Sequence, residues 1–285
     1  MVLRVPRYWA RCEREVVGAG GTVYQLVKYG VSDKSHEEAQ REAERLLDAL
    51  VARVLGRESL DHYAYSTRMP LREELIQELR RDGNLLGFVT RNSYGALVLN
   101  TAQVMFVDID CPQPKPRGGL LRRLFGKSEP AGDPAAEALD RVAAWSRSHS
   151  TYSFRAYRTH AGLRLLFTSH VFEAGGSATR SMLEDLGADP LYVRLCQAQE
   201  CFRARLTPKP WRVGMRSQRH AWPQATPAQE AARAKWLRTY DDRRAKFAVC
   251  ALVGEFGRGE MLEEAATVVR LHDEMTCTPA GAPLA

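Results

Sequence analysis

No apolar run in this sequence approaches the roughly 20 residues that a membrane-spanning helix requires, so an integral membrane protein built from helices is not expected. The opening MVLRVPRYWARCE carries charges and an early proline and lacks the apolar core of a secretory signal, which predicts a cytoplasmic protein. Cysteine is sparse and scattered. Cys12, Cys111, Cys196, Cys201, Cys250 and Cys277 form no CxxC, and the closest pair, Cys196 and Cys201, has four residues between it and no second knuckle. A zinc site built on paired thiolates is therefore not expected, and buried or idle thiols of a reducing compartment are. The chain also lacks GxGxxG and Walker sequences, which argues against Rossmann and P-loop nucleotide binding. It has no internal repeat.

What is present is clustered positive charge. The formal net charge is +7 over 285 residues. From Phe202 to Trp222 there are six Lys or Arg and no acid, and from Gln113 to Ser128 five and no acid. Those eleven exceed the net charge, so the remainder is slightly acidic. Clustering of this kind, rather than net charge, points to anionic partners.

Along the chain, TVYQLVKY (22–29) reads as a strand. Ser35 begins a helix, with Glu38 at the capping-box position and Ala39, Ala43, Leu46, Leu47, Leu50 and Val54 at helical spacing. LREELIQELRR after Pro70 reads as an amphipathic helix ended by Gly83. The stretches 88–90, 96–100 and 104–110 read as strands, 135–147 as a helix, and 153–169 as a hairpin. Helices are expected over 181–187, 189–200, 227–247 and 260–276, with an extended segment at 202–206. Strands in the middle and helices on both sides predict an α+β fold around a mixed or antiparallel central sheet. Three regions follow: 1–84, mainly helical with one strand; 85–222, an α+β core; and 223–285, helices packed on that core. The Pro-, Gly- and base-rich stretch 111–134 reads as a surface insertion. Its LLRRLF either covers the core edge or binds a protein or nucleic-acid partner.

Three constellations carry chemistry. In VMFVDID (104–110), Asp108 and Asp110 fall on one strand face. Two carboxylates at this spacing can converge on a hard divalent ion such as Mg²⁺ or Mn²⁺, or the strand simply emerges into solvent there. In the hairpin, a three-residue turn His160-Ala161-Gly162, with Gly162 left-handed, would set Arg158 opposite Arg164. Opposed like charges are destabilising, so either an anion or the aspartates lie between them, or the two arginines splay apart at a solvated hairpin edge. His160 stands at the tip, as a polar turn residue or a ligand contact. In ECFRARLTPKPWR (200–212), Phe202, Ala204 and Leu206 alternate with Arg203, Arg205 and Thr207. The segment then places Lys209, Trp211 and Arg212 together, either as charge for phosphate and a ring for a base or sugar, or as a cationic surface with Trp211 packed as a lid on the core. Asp189 reads as a helix N-cap or as a third metal ligand.

The runs TRNSYGALVLNTAQVMFVDID and DPLYVRLCQAQECFRARLTPKPWR resemble a family of uncharacterised bacterial proteins over most of the chain. The order of a DxD strand, a Gly-containing hairpin, an acid and an arginine-rich strand is similar to the archaeo-eukaryotic primase superfamily over about 100 residues. That resemblance implies metal-dependent nucleotidyl or phosphoryl transfer, with Asp108, Asp110 and Asp189 holding Mg²⁺ or Mn²⁺. It puts Arg164, within Gly162-Leu163-Arg164, where the family has a histidine on nucleotide phosphate. Arg203, Arg205 and Lys209 would line a triphosphate. A nucleoside triphosphate or nucleic acid is the implied partner. A non-catalytic binder on the same fold, and an interaction protein acting through 111–134, are the alternatives.

Overall fold

The computed structural model describes residues 5–18, 21–56, 71–111, 133–219 and 222–285. In chain order the strands are β1 (Tyr8–Val17), β2 (Val23–Ser32), β3 (Glu74–Arg81), β4 (Asn84–Arg91), β5 (Leu97–Thr101), β6 (Phe106–Asp110), β7 (Phe154–Thr159), β8 (Gly162–Phe167), β9 (Phe202–Arg205) and β10 (Cys250–Phe256). The helices are α1 (His36–Leu55), α2 (Pro134–Ser148), α3 (Ser177–Asp185), α4 (Pro190–Gln199), α5 (Pro227–Arg244) and α6 (Glu263–Thr276), with a 3₁₀ turn over Pro210–Val213. The α+β expectation holds. In place of one central sheet there are two four-stranded antiparallel sheets, ordered β3-β4-β5-β9 and β10-β7-β8-β6, and a separate β1-β2 ribbon. No helix among the described residues is long and apolar enough to cross a membrane. The insertion expected at 111–134, with LLRRLF, lies outside the described residues apart from Cys111, Asp133 and Pro134.

Helix α1 lies on the β1-β2 ribbon because Ala39, Ala43, Leu47 and Val54 repeat on one face and meet Ala10, Val16 and Leu26. Its Ser35 cap forms as read, accepting from the Glu38 N–H at 3.1 Å. The second arm of the capping box does not close backwards: the Glu38 carboxylate takes the Ser32 hydroxyl instead.

The segment 71–81 is a strand, not a helix. Leu75 and Leu79 have helical spacing, but Asp82 (φ 48°) and Gly83 (φ 80°) form a two-residue turn that pairs Arg81 with Asn84 and makes β3-β4 a hairpin. Two consecutive positive φ values are the signature of a type I′ turn, which Asp-Gly favours and whose twist matches paired strands. Two further strands were not expected: charge-rich β1, and β10, which pairs with β7 through an irregularity between Leu252 and Gly254. Among the described residues, 1–84 therefore holds β1, β2, β3 and α1, and 223–285 contributes a strand to the second sheet.

Strands β6, β7 and β8 of the second sheet are covered on both faces, whereas β10 is largely exposed. Ala135, Ala138 and Val142 of α2 join Val107, Ile109, Leu163 and Leu165 in the core, while the Tyr157 and Phe106 face meets His272 of α6. Strand β6 is one edge of the sheet, and outer groups of it are occupied from α4. The Asp189 N–H donates to the Asp108 carbonyl at 2.9 Å and the Tyr192 hydroxyl to the Phe106 carbonyl at 2.9 Å. The chain then runs through α4 directly into β9, which pairs with β5 of the other sheet. The α4–β9 segment thereby straps the two sheets together and brings the basic run alongside the acidic strand.

Candidate phosphate site

The hairpin register decides which arginines can act together. Tyr157 faces Arg164 and Arg158 faces Leu163, so the turn spans only His160 and Ala161. A one-residue slip moves a side chain to the other face of a sheet. Arg158 and Arg164 thus stand on opposite faces, contrary to the expected opposed pair. Gly162 is not left-handed either. It lies in β8, where an added Cβ would sit 2.0 Å from the Ile109 carbonyl oxygen, so glycine is needed for the close approach of β6 to β8.

Arg158 hydrogen-bonds Asp133 at the start of α2 at 3.0 Å and leaves the candidate site. His160 places Nδ1 3.1 Å from the Leu284 carbonyl oxygen at the hairpin tip. Arg203 is held by Glu73 at 2.6 Å and by Gln199 at 3.1 Å. These three expected ligand contacts are engaged elsewhere. Arg164 lies directly across from Asp108 on neighbouring strands. It is only 1% exposed, donating from Nε to Asp108 Oδ1 at 2.9 Å and from Nη1 to the Arg205 carbonyl at 2.9 Å. Its charge is spent inside the protein, so it positions Asp108 rather than lining a phosphate wall.

What converges is narrower than the sequence reading. Asp108, Asp110 and Asp189 share one electrostatic neighbourhood with Arg205, Lys209 and Arg212. Burial raises the Asp110 pKa, the Asp189 and Asp108 charges raise it further, and Lys209 and Arg205 oppose them. Burial and the nearby Arg205 and Arg212 charges lower Lys209, against the pull of Asp110 and Asp108. Arg212 is lowered by burial and by Arg205. The Arg205 Nε is buried with no hydrogen-bond partner among the described residues. Carboxylates and cations are thus crowded at one place, with one guanidinium donor unspent. Beside it, Trp211 is 53% exposed, its ring edge-on to Tyr94 at 5.4 Å and 5.6 Å from Lys209 Nζ. Tyr94 was missed; it sits in the NSYG turn, which reads only as punctuation.

Asp189 is the N-cap of α4, its Oδ1 accepting from the Leu191 N–H at 3.0 Å. Among the described residues no three His, Cys, Asp or Glu side chains gather as a metal-holding group. A protein cage of three acids is therefore not formed. The two strand aspartates still suit Mg²⁺, which commonly takes one or two carboxylates and completes its shell with water and phosphate. Mutual repulsion at Asp110 is what such an ion would relieve. Comparison with protein-family models, with curated proteins and with solved structures finds no match to this chain.

Beneath the site, fully buried His272 meets Asp273, Thr276 and Cys250, with the Arg164 and Asp108 charges nearby. Burial pushes its pKa down to about 4, aided by Arg164 and resisted by Asp273 and Asp108. The ordinary histidine value is about 6.5. The unfolded chain thus binds more protons than the folded one between these values. Stability should fall as pH drops from about 6.5 towards 4, by on the order of 3 kcal/mol. Urea midpoints across that range should show the decline, and His272→Gln should flatten it. An equal slope in the variant would remove His272 as the cause.

Proposed function

We propose that this protein carries out nucleotidyl or phosphoryl transfer of primase–polymerase type on a nucleotide or nucleic acid, at the junction of β6, the start of α4 and the β9–3₁₀ segment. The observation that carries the reading is the meeting of Asp108 and Asp110 with Arg205, Lys209 and Arg212, the Arg205 Nε being buried and unspent.

On this reading Arg205, Lys209 and Arg212 bind the phosphates and balance charge that develops during transfer. Trp211 offers its exposed ring to a base or sugar. Asp108, oriented by Arg164, and Asp110 are the residues that would hold Mg²⁺ or Mn²⁺. When bound, such an ion would supply Lewis-acid chemistry to a phosphoryl oxygen and charge to balance a leaving pyrophosphate. Asp189 adds negative charge while capping α4.

Asp110→Asn is the cleanest test, because no ion pair depends on that side chain among the described residues. Manganese-dependent pyrophosphate release from a nucleoside triphosphate should fall at least about 100-fold, the scale for losing one electrostatic stabiliser. Triphosphate binding without metal should persist. Turnover unchanged in the variant would end the catalytic reading.

One observation favours a second reading, a non-catalytic nucleotide or nucleic-acid binder. Arg164 replaces the family's histidine and is locked on Asp108, and it has no accessible proton chemistry. Salt-sensitive binding by the unaltered protein, with no turnover under any divalent ion, would select it.

A further inference from the structure

Two thiols lie outside the chemistry described so far. Cys250 opens β10 and is fully buried, whereas Cys277 follows the last turn of α6 and is half-buried. Their sulfurs are 3.9 Å apart. Among the described residues no other pair of cysteine sulfurs is in contact. Cys250 Sγ also lies 3.2 Å from the Thr276 hydroxyl oxygen and 4.0 Å from His272 Nε2. The pair therefore combines one thiol that solvent can reach with one held behind it.

We propose that Cys277 and Cys250 are a reversible oxidation site for a hydroperoxide, closing to an intramolecular disulfide. The Cys277 thiolate attacks one peroxide oxygen. A sulfur–oxygen bond forms, the oxygen–oxygen bond breaks, and the departing hydroxide leaves as water with the thiol's proton. Sulfur is oxidised to the sulfenic acid and the peroxide is reduced. Cys250 then attacks that sulfur. The sulfur–sulfur bond forms, the sulfur–oxygen bond breaks, and the second hydroxide leaves as water with the Cys250 proton. Two thiols and one hydrogen peroxide thus give one disulfide and two waters.

The asymmetry suits these roles. The hydrogen bond shared with Cys250 holds Cys277 below the usual thiol value, at about 7, against the effect of burial. The same hydrogen bond and burial push Cys250 well up. A partly exposed thiol with thiolate character is the one that oxidants reach first. Cys12, also half-buried but raised by burial, is the internal comparison.

The test uses the full chain, reduced, desalted and treated with limiting hydrogen peroxide, followed by alkylation and peptide mass mapping. The expected product has lost two hydrogens, contains a Cys250–Cys277 linked peptide, and reverts with dithiothreitol. Cys277 should be consumed at least about tenfold faster than Cys12. In Cys250→Ser, a 1,3-dione probe should trap a sulfenic acid on Cys277. Cys277→Ser, at the accessible end of the pair, should leave Cys250 unoxidised. Sulfinic acid on Cys277 beside free Cys250 in the unaltered protein would overturn the proposal, and so would even oxidation over all six cysteines. The peptide map of the unaltered protein decides the matter even where the Cys250 variant does not fold.

Discussion

Asp108→Ala should lower the folding free energy by about 3 kcal/mol, the lower end of the cost of breaking a buried ion pair. The reason lies in Arg164. Its guanidinium is 1% exposed and its Nε donates to Asp108 Oδ1 at 2.9 Å. Removing the carboxylate leaves a positive charge inside the sheet with only a backbone carbonyl in its place. The Asp108 side chain is 34% exposed, so water softens the loss and the lower end applies. Arg164→Met in the same chain should restore much of the stability, because two uncharged groups of suitable volume need no partner. Chemical denaturation of the single and double variants measures this directly. A single variant within about 0.5 kcal/mol of the parent would mean that the pair contributes nothing. Reduced activity in Asp108→Ala would therefore mix folding with function, which is why Asp110 is the better probe.

Replacing Arg205 and Lys209 together by alanine should weaken triphosphate or single-stranded nucleic-acid binding by about 100-fold or more. Each charged hydrogen bond is worth about 1.5–3 kcal/mol. The dependence of log affinity on log salt should become shallower by about one for each phosphate that is no longer neutralised. Arg158→Ala is the matched control. It removes the same kind of charge from the opposite sheet face, where Arg158 is held by Asp133, and should leave affinity almost unchanged. Fluorescence anisotropy over a salt series separates the outcomes. Equal weakening in both variants would make the attraction a property of net charge rather than of this site.

The sequence was legible where residue type and local geometry agree. The apolar run before Asp108 marked β6, and the Phe202, Ala204 and Leu206 alternation marked β9 with its arginines on the other face. The Ser35 and Asp189 caps formed as read. It misled where two periods compete. Leucines four apart in 71–81 suit a helix, yet the Asp82-Gly83 turn makes that segment a strand. The candidate site was half legible. The aspartates and the Arg205, Lys209 and Arg212 cluster come from short stretches whose alternation fixes their face. Arg158, Arg164 and His160 depended on the length of one hairpin turn, and a single residue there sent Arg158 to the α2 face. Arg203 was drawn off by Glu73, which is 130 residues away in sequence and could be found only from the tertiary fold. Strand β10 stayed hidden because its irregular pairing breaks the alternation that would have marked it.

A crystal structure of the protein with Mn²⁺ and a nucleoside triphosphate tests the central claim most directly. Anomalous density for manganese should appear at Asp108 and Asp110, with triphosphate oxygens on Arg205, Lys209 and Arg212. Manganese absent from both carboxylates, or the triphosphate seated away from those three cations, would contradict it.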